Sequence, residues 1–517
     1  MVQFINAAQA AELIADNDTI AVSSFIGNVL PEVVMKAVGD RFMKTGNPQK
    51  LTLVHVAGAG RGEEGGVNLL AHEGLLKRVV AGHWNMSRQL GKLAMEEKLE
   101  AYNLPQGVLS HLFRDIAAGK IGTLTHVGLL TFVDPRLDGG KVNASAKEDL
   151  VEVVTVAGHE LLLYKSFPIN ACILRGTYAD EFGNVTLQHE GATLEVQAIA
   201  QATKNSGGKV IVQVDAVVQG GSLDPRLVLI PGIYVDAIVQ VDPSEVAEVT
   251  KDQRAWFCGN ARVPSSAIAS MELDERKIIA RRAAMELRSD IVVNLGIGMP
   301  EGVALVANEE GIGNYMTMIV EAGAVGGIPQ GGLQFGMSAN PHAILQQNAQ
   351  FDFFDGGGID LAFLGLAETD EQGNINVSKL GSRVTGAGGF INITQNAKQL
   401  VYCGTFTAKG LTIRTGNGKL EIVTEGTQKK FRKKVGHVTF SGCYAQQTKQ
   451  PVLYITERAV FALREDGVHL IEIAPGVDLE KDVLALMDFT PIMKTPPKLM
   501  DERIFMDKRM GLAGQSA

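Results

Sequence analysis

The run MTMIVEAGAVGG sets one acidic side chain, Glu321, between an apolar, strand-like stretch and a glycine-rich turn. A carboxylate at the carboxyl end of a strand can attack a carbonyl carbon while backbone amides around it hold the oxyanion that forms. Glu321 is therefore the candidate nucleophile. Other turns have the same small-residue character: NLGIGMPEG (294–302) follows the apolar run DIVV, FDGGGIDL (354–361) leads into another, and GAGGFINI (386–393) follows KLGSR. Glycines at such places let N–H groups approach a phosphate or an oxyanion without a Cβ in the way. A dinucleotide site is the competing reading, because Gly296 and Gly298 follow a strand and Glu321 lies 25 residues beyond Gly296. The third glycine of GxGxxG is replaced by Glu301, whose charge would repel a pyrophosphate, and no GxxxxGK[ST] loop occurs.

These turns need a frame. Apolar runs such as LTLVHVAG, KVIVQVDAVV, DIVVNLGIG and QLVYCGTF alternate with amphipathic stretches such as DERKIIARRAAMELRS. Strands buried on both faces and separated by helices mean parallel α/β sheets. In such sheets ligands collect at the carboxyl ends of the strands. The segment VLYITERAVFAL followed by GVHLIEIAP predicts an antiparallel addition at one sheet edge.

The chain also looks duplicated. Residues 11–37 (AELIADNDTIAVSSFIGNVLPEVVMKA) line up with 284–307 (AMELRSDIVVNLGIGMPEGVALVA), each reading helix, strand, small-residue turn, Pro, helix. Pro31 and Pro300 are expected at the first helical position, with Glu32 and Glu301 in the first turn. A second pair, ADEFGNVT (179–186) and TDEQGNIN (369–376), is a Gly-Asn turn between β-branched runs. Spacing between the paired motifs differs, so the first half carries an insertion. The polar, Pro-bearing stretch between the halves gives the expected division: residues 1–245, a linker over 246–273, and 274–517.

Composition narrows the function. At 517 residues the chain exceeds one ordinary core, and 45% hydrophobic with 20% charged residues is the make-up of a globular protein. The 58 glycines exceed the usual share of roughly 7%. A net charge of -9 argues against nucleic acid and anionic lipid as partners. The one compact basic run, KKFRKK at 429–434, is expected as a solvated strand or turn. Cys172, Cys258, Cys403 and Cys443 are widely spaced with no metal-ligand pattern, so neither a disulfide framework nor a metal site is expected. The opening residues lack a signal-peptide pattern, and no segment reaches 18 consecutive apolar residues. The expectation is a cytoplasmic protein with no membrane partner.

The combination NLGIGMP, VEAGAVGG, DGGGIDLAFLGLAE, GAGGF and ITERAVF resembles the family I coenzyme A transferases, over nearly the whole chain. HEGLLKRVVAGHW, AYNLPQGVLSHLFRD, PGIYVD and IEIAPGVDLEKDVLALMDF look like the single-chain propionate and acetate CoA-transferase branch. The resemblance implies two tandem open, mainly parallel α/β domains of the CoA-transferase/NagB-like kind, matching subunits that are separate elsewhere in the family. It puts Glu321 at the E-x-G position of the catalytic glutamate. It implies CoA transfer between a short-chain acyl-CoA and a short-chain monocarboxylate such as acetate, propionate, butyrate or lactate. The route is a mixed anhydride and then a glutamyl-CoA thioester, with CoA as substrate and no cofactor. An acyl-CoA hydrolase and a non-catalytic acyl-CoA sensor are the alternatives.

By the same resemblance, oxyanion donors come from the opening turn SSFIGNVLPE (23–32), with Asn28 and Val29 among the catalytic residues, and from the side chain of Gln106. The wider family has glycines where this chain carries Ser23, Ser24 and Val29. Phe25 and Asn28 are expected on the acyl pocket, and Gly298 and Met299 along the pantetheine arm. Lys379 and Arg383, ahead of Gly386, Gly388 and Gly389, are expected at the CoA phosphates. His55, His72, His83, His111 and Trp84 are read as packing or pocket-wall residues, since a carboxylate nucleophile needs no imidazole base. Family likeness also implies a homo-oligomer, dimer or tetramer.

Overall fold

A computed structural model describes residues 2–246, 249, 251–264 and 271–514. The first half builds a sheet from β1 (Gln3–Phe4), β2 (Thr19–Val22), β3 (Leu51–His55), β4 (Leu76–Ala81), β5 (Glu100–Asn103), β6 (Ala171–Asp180), β7 (Lys209–Val218) and β8 (Ala237–Gln240). Their spatial order is β1-β8-β7-β6-β2-β3-β4-β5, and every neighbouring pair on this path is parallel. The second half uses β9 (Val292–Leu295), β10 (Thr317–Ile319), β11 (Ala324–Val325), β12 (Leu361–Gly365), β13 (Leu400–Cys403), β14 (Val452–Ile455), β15 (Ala459–Arg464) and β16 (Gly467–Ile473). Its order is β11-β10-β9-β12-β13-β14-β15-β16. The pairs from β10 to β14 are parallel, whereas β14-β15-β16 is an antiparallel meander at the edge. Strands such as β13 are apolar and buried along their whole length, which is why they read as continuous hydrophobic runs. The architecture is therefore the two-sheet, mainly parallel α/β arrangement with an antiparallel edge.

The two sheets repeat one topology: β8-β7-β6-β2-β3 has the same order as β14-β13-β12-β9-β10. The Gly-Asn turns repeat it in atomic detail. Asp180 Oδ1 accepts from Phe182 N and Asn184 N at 3.0 and 2.9 Å, and Asp370 Oδ1 accepts from Gln372 N and Asn374 N at 3.1 and 3.0 Å. Gly183 and Gly373 stand at φ 85° and 77°, where a side chain would be strained. The insertion lies between β3 and β6, a stretch that runs from His55 to Ala171 while its counterpart spans only Ile319 to Leu361.

Helix α1 (Glu32–Thr45) follows β2 and α2 (Gln106–Ala117) follows β5; α3 (Glu301–Glu309) follows β9, with α4 (Gln347–Asp355) and α5 (Phe390–Asn396) further along. Pro31 and Pro300 sit one residue earlier than expected, as the caps of α1 and α3. Of the expected linker, residues 247, 248, 250 and 265–270 lie outside the described residues. Its described part includes a helical turn, Arg254–Phe257, with Arg254 paired to Asp215 at 3.0 Å. No helix among the described residues is long and apolar enough to cross a membrane.

Candidate active site

In each sheet the chain leaves the central strand toward opposite sides, at β2 in one half and β9 in the other, which opens a crevice at the strand ends. A cavity of about 340 Å³ occupies that place, lined from the first half by Phe25, Ile26, His83 and Gln106, and from the second by Met299, Glu321 and Gly386–Gly389.

Glu321 stands in the tight turn joining β10 to β11. Val320 N donates to Ala324 O and Gly323 N to Val320 O, both at 3.1 Å. Gly323 has φ 115°, and a Cβ there would stand 2.0 Å from Leu345 O, so the turn accepts only glycine. From α4, Gln350 Nε2 pins Val320 O at 3.1 Å. The Glu321 side chain is buried, and its Oε2 has no hydrogen-bond partner among the described residues. Burial pushes this carboxyl up to about 7; the residue's own backbone N–H pulls the other way. The group is under-solvated and half protonated near neutrality.

Gln106 opens α2 after Pro105, and its Nε2 is buried without an acceptor. Its backbone N–H donates to Gly388 O at 3.0 Å. A Cβ on Gly389 would lie 3.0 Å from Glu321 Cγ, and one on Gly388 would lie 3.5 Å from Gln106 Oε1. The segment 386–389 thus sits between the two candidate side chains. It is also the seam between the halves: Gly388 N donates to Gly82 O at 2.7 Å, Trp84 N to Thr385 O at 2.8 Å, and Ala387 N to Asn103 Oδ1 at 2.9 Å. A Cβ on Gly386 would stand 2.8 Å from both His83 Cα and Trp84 N. Protein backbone, as well as any ligand, demands these glycines.

The opening turn is strained. Ile26 and Val29 are β-branched residues at φ 54° and 56°, a conformation costing of order 1–3 kcal/mol each. Asn28 N and Nδ2 both donate to Phe25 O, at 3.1 and 3.2 Å, which draws Asn28 away from ligand contact. Val29 N–H is buried and meets no acceptor among the described residues. Neither Asn28 nor Val29 lines the cavity, whereas Phe25 does. Ser23, at a position where the family has glycine, donates to the buried Glu195 at 2.9 Å.

The remaining expectations divide. Met299 lines the cavity; Gly298 beside it does not, and its N–H donates to Glu301 Oε1 at 2.8 Å. Glu301, the residue that breaks the dinucleotide fingerprint, is therefore occupied in holding its own turn. Neither Lys379 nor Arg383 is among the residues lining the cavity. Lys379 Nζ donates to Val142 O at 2.8 Å beside a separate polar cavity, whereas Arg383 is exposed and bonds Asn85, which does line the Glu321 cavity. Spacing from the glycines gave no information about that direction. His83 lines the wall, and burial lowers it and His55 to about 4, so both are neutral at neutral pH. The basic run 429–434 departs from a solvated strand: Phe431 is buried and Lys430 reaches the cavity. Among the described residues no group of three or more His, Cys, Asp or Glu is arranged to hold a metal.

Comparison with known proteins agrees with this geometry. The coenzyme A transferase family matches residues 4–241. The chain is 46% identical to caffeate CoA-transferase of Acetobacterium woodii, covering 99% of each. It is 42% identical to acetate CoA-transferase YdiF of Escherichia coli K12, covering 99% of this chain and 96% of that one. The acyl-CoA transferase YdiF of E. coli O157:H7, solved as a thioester complex with CoA, superposes with a TM-score of 0.93 at 40% identity, covering 99% and 97% of the two chains. The chain belongs to the family I coenzyme A transferases, in the single-chain branch. It is an enzyme that moves CoA between an acyl-CoA and a carboxylate.

Proposed function

We propose that Glu321 is the nucleophile of a double displacement serving short-chain monocarboxylates. One carboxylate oxygen attacks the thioester carbonyl, the C–S bond breaks, and CoA leaves as thiolate from an acyl-glutamyl anhydride. The thiolate then attacks the glutamyl carbonyl, releasing the first acid as carboxylate and leaving a glutamyl-CoA thioester. An incoming carboxylate reverses both steps and restores Glu321. Charge is conserved throughout, so no proton donor is needed. The single observation that carries this reading is a buried carboxyl, with one oxygen unpartnered, at the head of a cavity lined by both halves.

Gln106 Nε2 is the donor we assign to the oxyanion, because it is unpartnered and its residue lines the same cavity. Short acids are favoured by the aromatic wall of Phe25, Phe335 and Phe390 around a cavity that also has to admit the thiol arm. The relative named for caffeate makes a larger aromatic acid the arm of the test that opposes this. On this reading residues 1–245 and 274–517 are two catalytic lobes joined by 246–273. The protein works in the cytoplasm as a homo-oligomer, with no metal and no cofactor.

The test is turnover with a panel of acids. CoA transfer from acetyl-CoA should require an added acid, run fastest with C2 to C4 monocarboxylates, and fall by about 10³-fold or more in Glu321→Gln. Release of CoA without any acid would favour a hydrolase, and faster transfer to caffeate would remove the short-chain assignment. Undiminished transfer by Glu321→Gln would remove the nucleophile.

A further inference from the structure

Lys430 is a buried lysine with nothing to bind. It is 7% exposed, it lines the same cavity as Glu321, and no hydrogen bond or ion pair engages its ammonium among the described residues. Two carboxylates raise its affinity for the proton, Glu457 and Glu368, yet both are committed elsewhere. Glu457 accepts from Phe406 N at 2.8 Å and from Arg458 Nε at 2.6 Å, and Glu368 accepts from Asn376 Nδ2 at 3.0 Å. An ammonium carries three donors, and here they open onto the cavity rather than onto a protein acceptor. The arrangement calls for an oxygen from outside the protein.

Its place along the sheet says which oxygen. Glu321, Gly296, Gly365 and Gly404 stand at the carboxyl ends of β10, β9, β12 and β13, which are consecutive neighbours in the sheet, and all four line the cavity. Nζ of Lys430 lies 2.9 Å from where a Cβ on Gly404 would be. A Cβ on Gly365 would meet only Ile297 O, at 4.0 Å, so the glycines leave a trough along this row. Three strand spacings of about 4.8 Å separate the ends of β10 and β13 by about 14 Å, with Glu321 just past one and Lys430 Nζ beside the other. The arm of CoA from sulfur to its first phosphorus has thirteen bonds, about 15 Å when extended at standard bond lengths.

We propose that Lys430 binds the first phosphate of the CoA arm while the thioester carbon lies at Glu321, so that the pair measures the length of the thiol carrier. This rests on the reading that acyl-CoA occupies the cavity with its thioester at Glu321. Lys430 is then a binding residue for the carrier rather than for the acid. Burial lowers its ammonium to about 8, so binding of acyl-CoA should weaken as pH rises past that value, and a bound phosphate should hold the proton on.

The experiment compares three acyl donors: acyl-CoA, acyl-4′-phosphopantetheine and acyl-pantetheine, which lacks phosphate. Lys430→Met keeps the length and apolar packing of the stem. It should raise KM at least about tenfold for the two phosphate-bearing donors and leave acyl-pantetheine within about twofold. Lys430→Arg should keep KM for acyl-CoA low and abolish the alkaline loss near pH 8, because guanidinium stays charged. An equal rise with all three donors, or no rise with any, overturns the proposal. Glu321→Gln separates this from the underlying mechanism. It should stop turnover of all three donors, whereas full activity of that variant would remove the mechanism whatever Lys430 does.

Discussion

At the scale of the residue, the proposed mechanism turns on one carboxyl that the fold dehydrates. Because the nucleophile must be ionised, kcat/KM for acyl-CoA should rise with pH through about 7, the value to which burial pushes Glu321, and fall again past about 8 as Lys430 loses its proton. His83 and His55 are held near 4 and do not contribute to that limb. Glu321→Gln should remove the limb along with the activity. The same shift has a stability consequence. An unfolded glutamate titrates near 4.3, so between that pH and about 7 the folded state binds more protons and stability falls as pH rises. Glu321→Gln should therefore raise the melting temperature at pH 8, through a gain on the order of 3 kcal/mol, and should do little at pH 4. Equal stabilisation at both pH values would contradict the assigned shift. Gln106→Leu should lower kcat by about 10²-fold with a small change in KM, as expected when one oxyanion donor is lost. Steady-state kinetics at saturating donor check this.

At the scale of the element, the reactive group is held by a turn rather than by side-chain bonds. Gly323 at φ 115°, with Leu345 O where its Cβ would go, fixes the exit from β10. Gly323→Ala should destabilise by about 2 kcal/mol or more and reduce activity beyond what unfolding explains, measured by denaturant melts alongside kinetics. Much of this level was legible in the sequence. Apolar runs on both sides of amphipathic segments identified the parallel strands, and VEAGAVGG placed Glu321 at a strand end. The repeated Gly-Asn turns revealed the duplication. What stayed hidden depends on direction across the sheet. Lys379 and Arg383 precede the GAGGF glycines in the chain, yet Lys379 bonds Val142 beside another cavity and Arg383 reaches only a lining residue, Asn85, whereas Lys430 arrives from a distant basic run. Linear spacing encodes neither outcome, because each depends on which face of a short strand the neighbouring segment covers. The strain at Ile26 and Val29 was equally hidden, since a β-branched residue at positive φ contradicts local preference.

At the scale of the whole molecule, one chain carries two copies of a topology, and the candidate site is lined by residues of both. The segment 386–389 enters the first half and is received by Gly82, Trp84 and Asn103. Asn103 spans the seam: its Oδ1 accepts from Ala387 N, and its Nδ2 donates to Ala81 O and Gly82 O at 2.8 and 2.7 Å. Asn103→Leu should cost about 2–4 kcal/mol by leaving those groups unpaired, and should cut kcat by loosening Gly389 against Glu321. Thermal melts and kinetics on the same preparation check both effects. The seam also explains why GAGGF was only partly readable: its glycines signal close approach, and the sequence alone does not distinguish approach to a phosphate from approach to another lobe. The claim on which all of this depends is that Glu321 itself carries CoA between half-reactions. The direct measurement is peptide mass spectrometry after incubation with acyl-CoA and then borohydride. The account predicts a reduced side chain on the peptide containing Glu321; an unaltered peptide from enzyme that is turning over would contradict it.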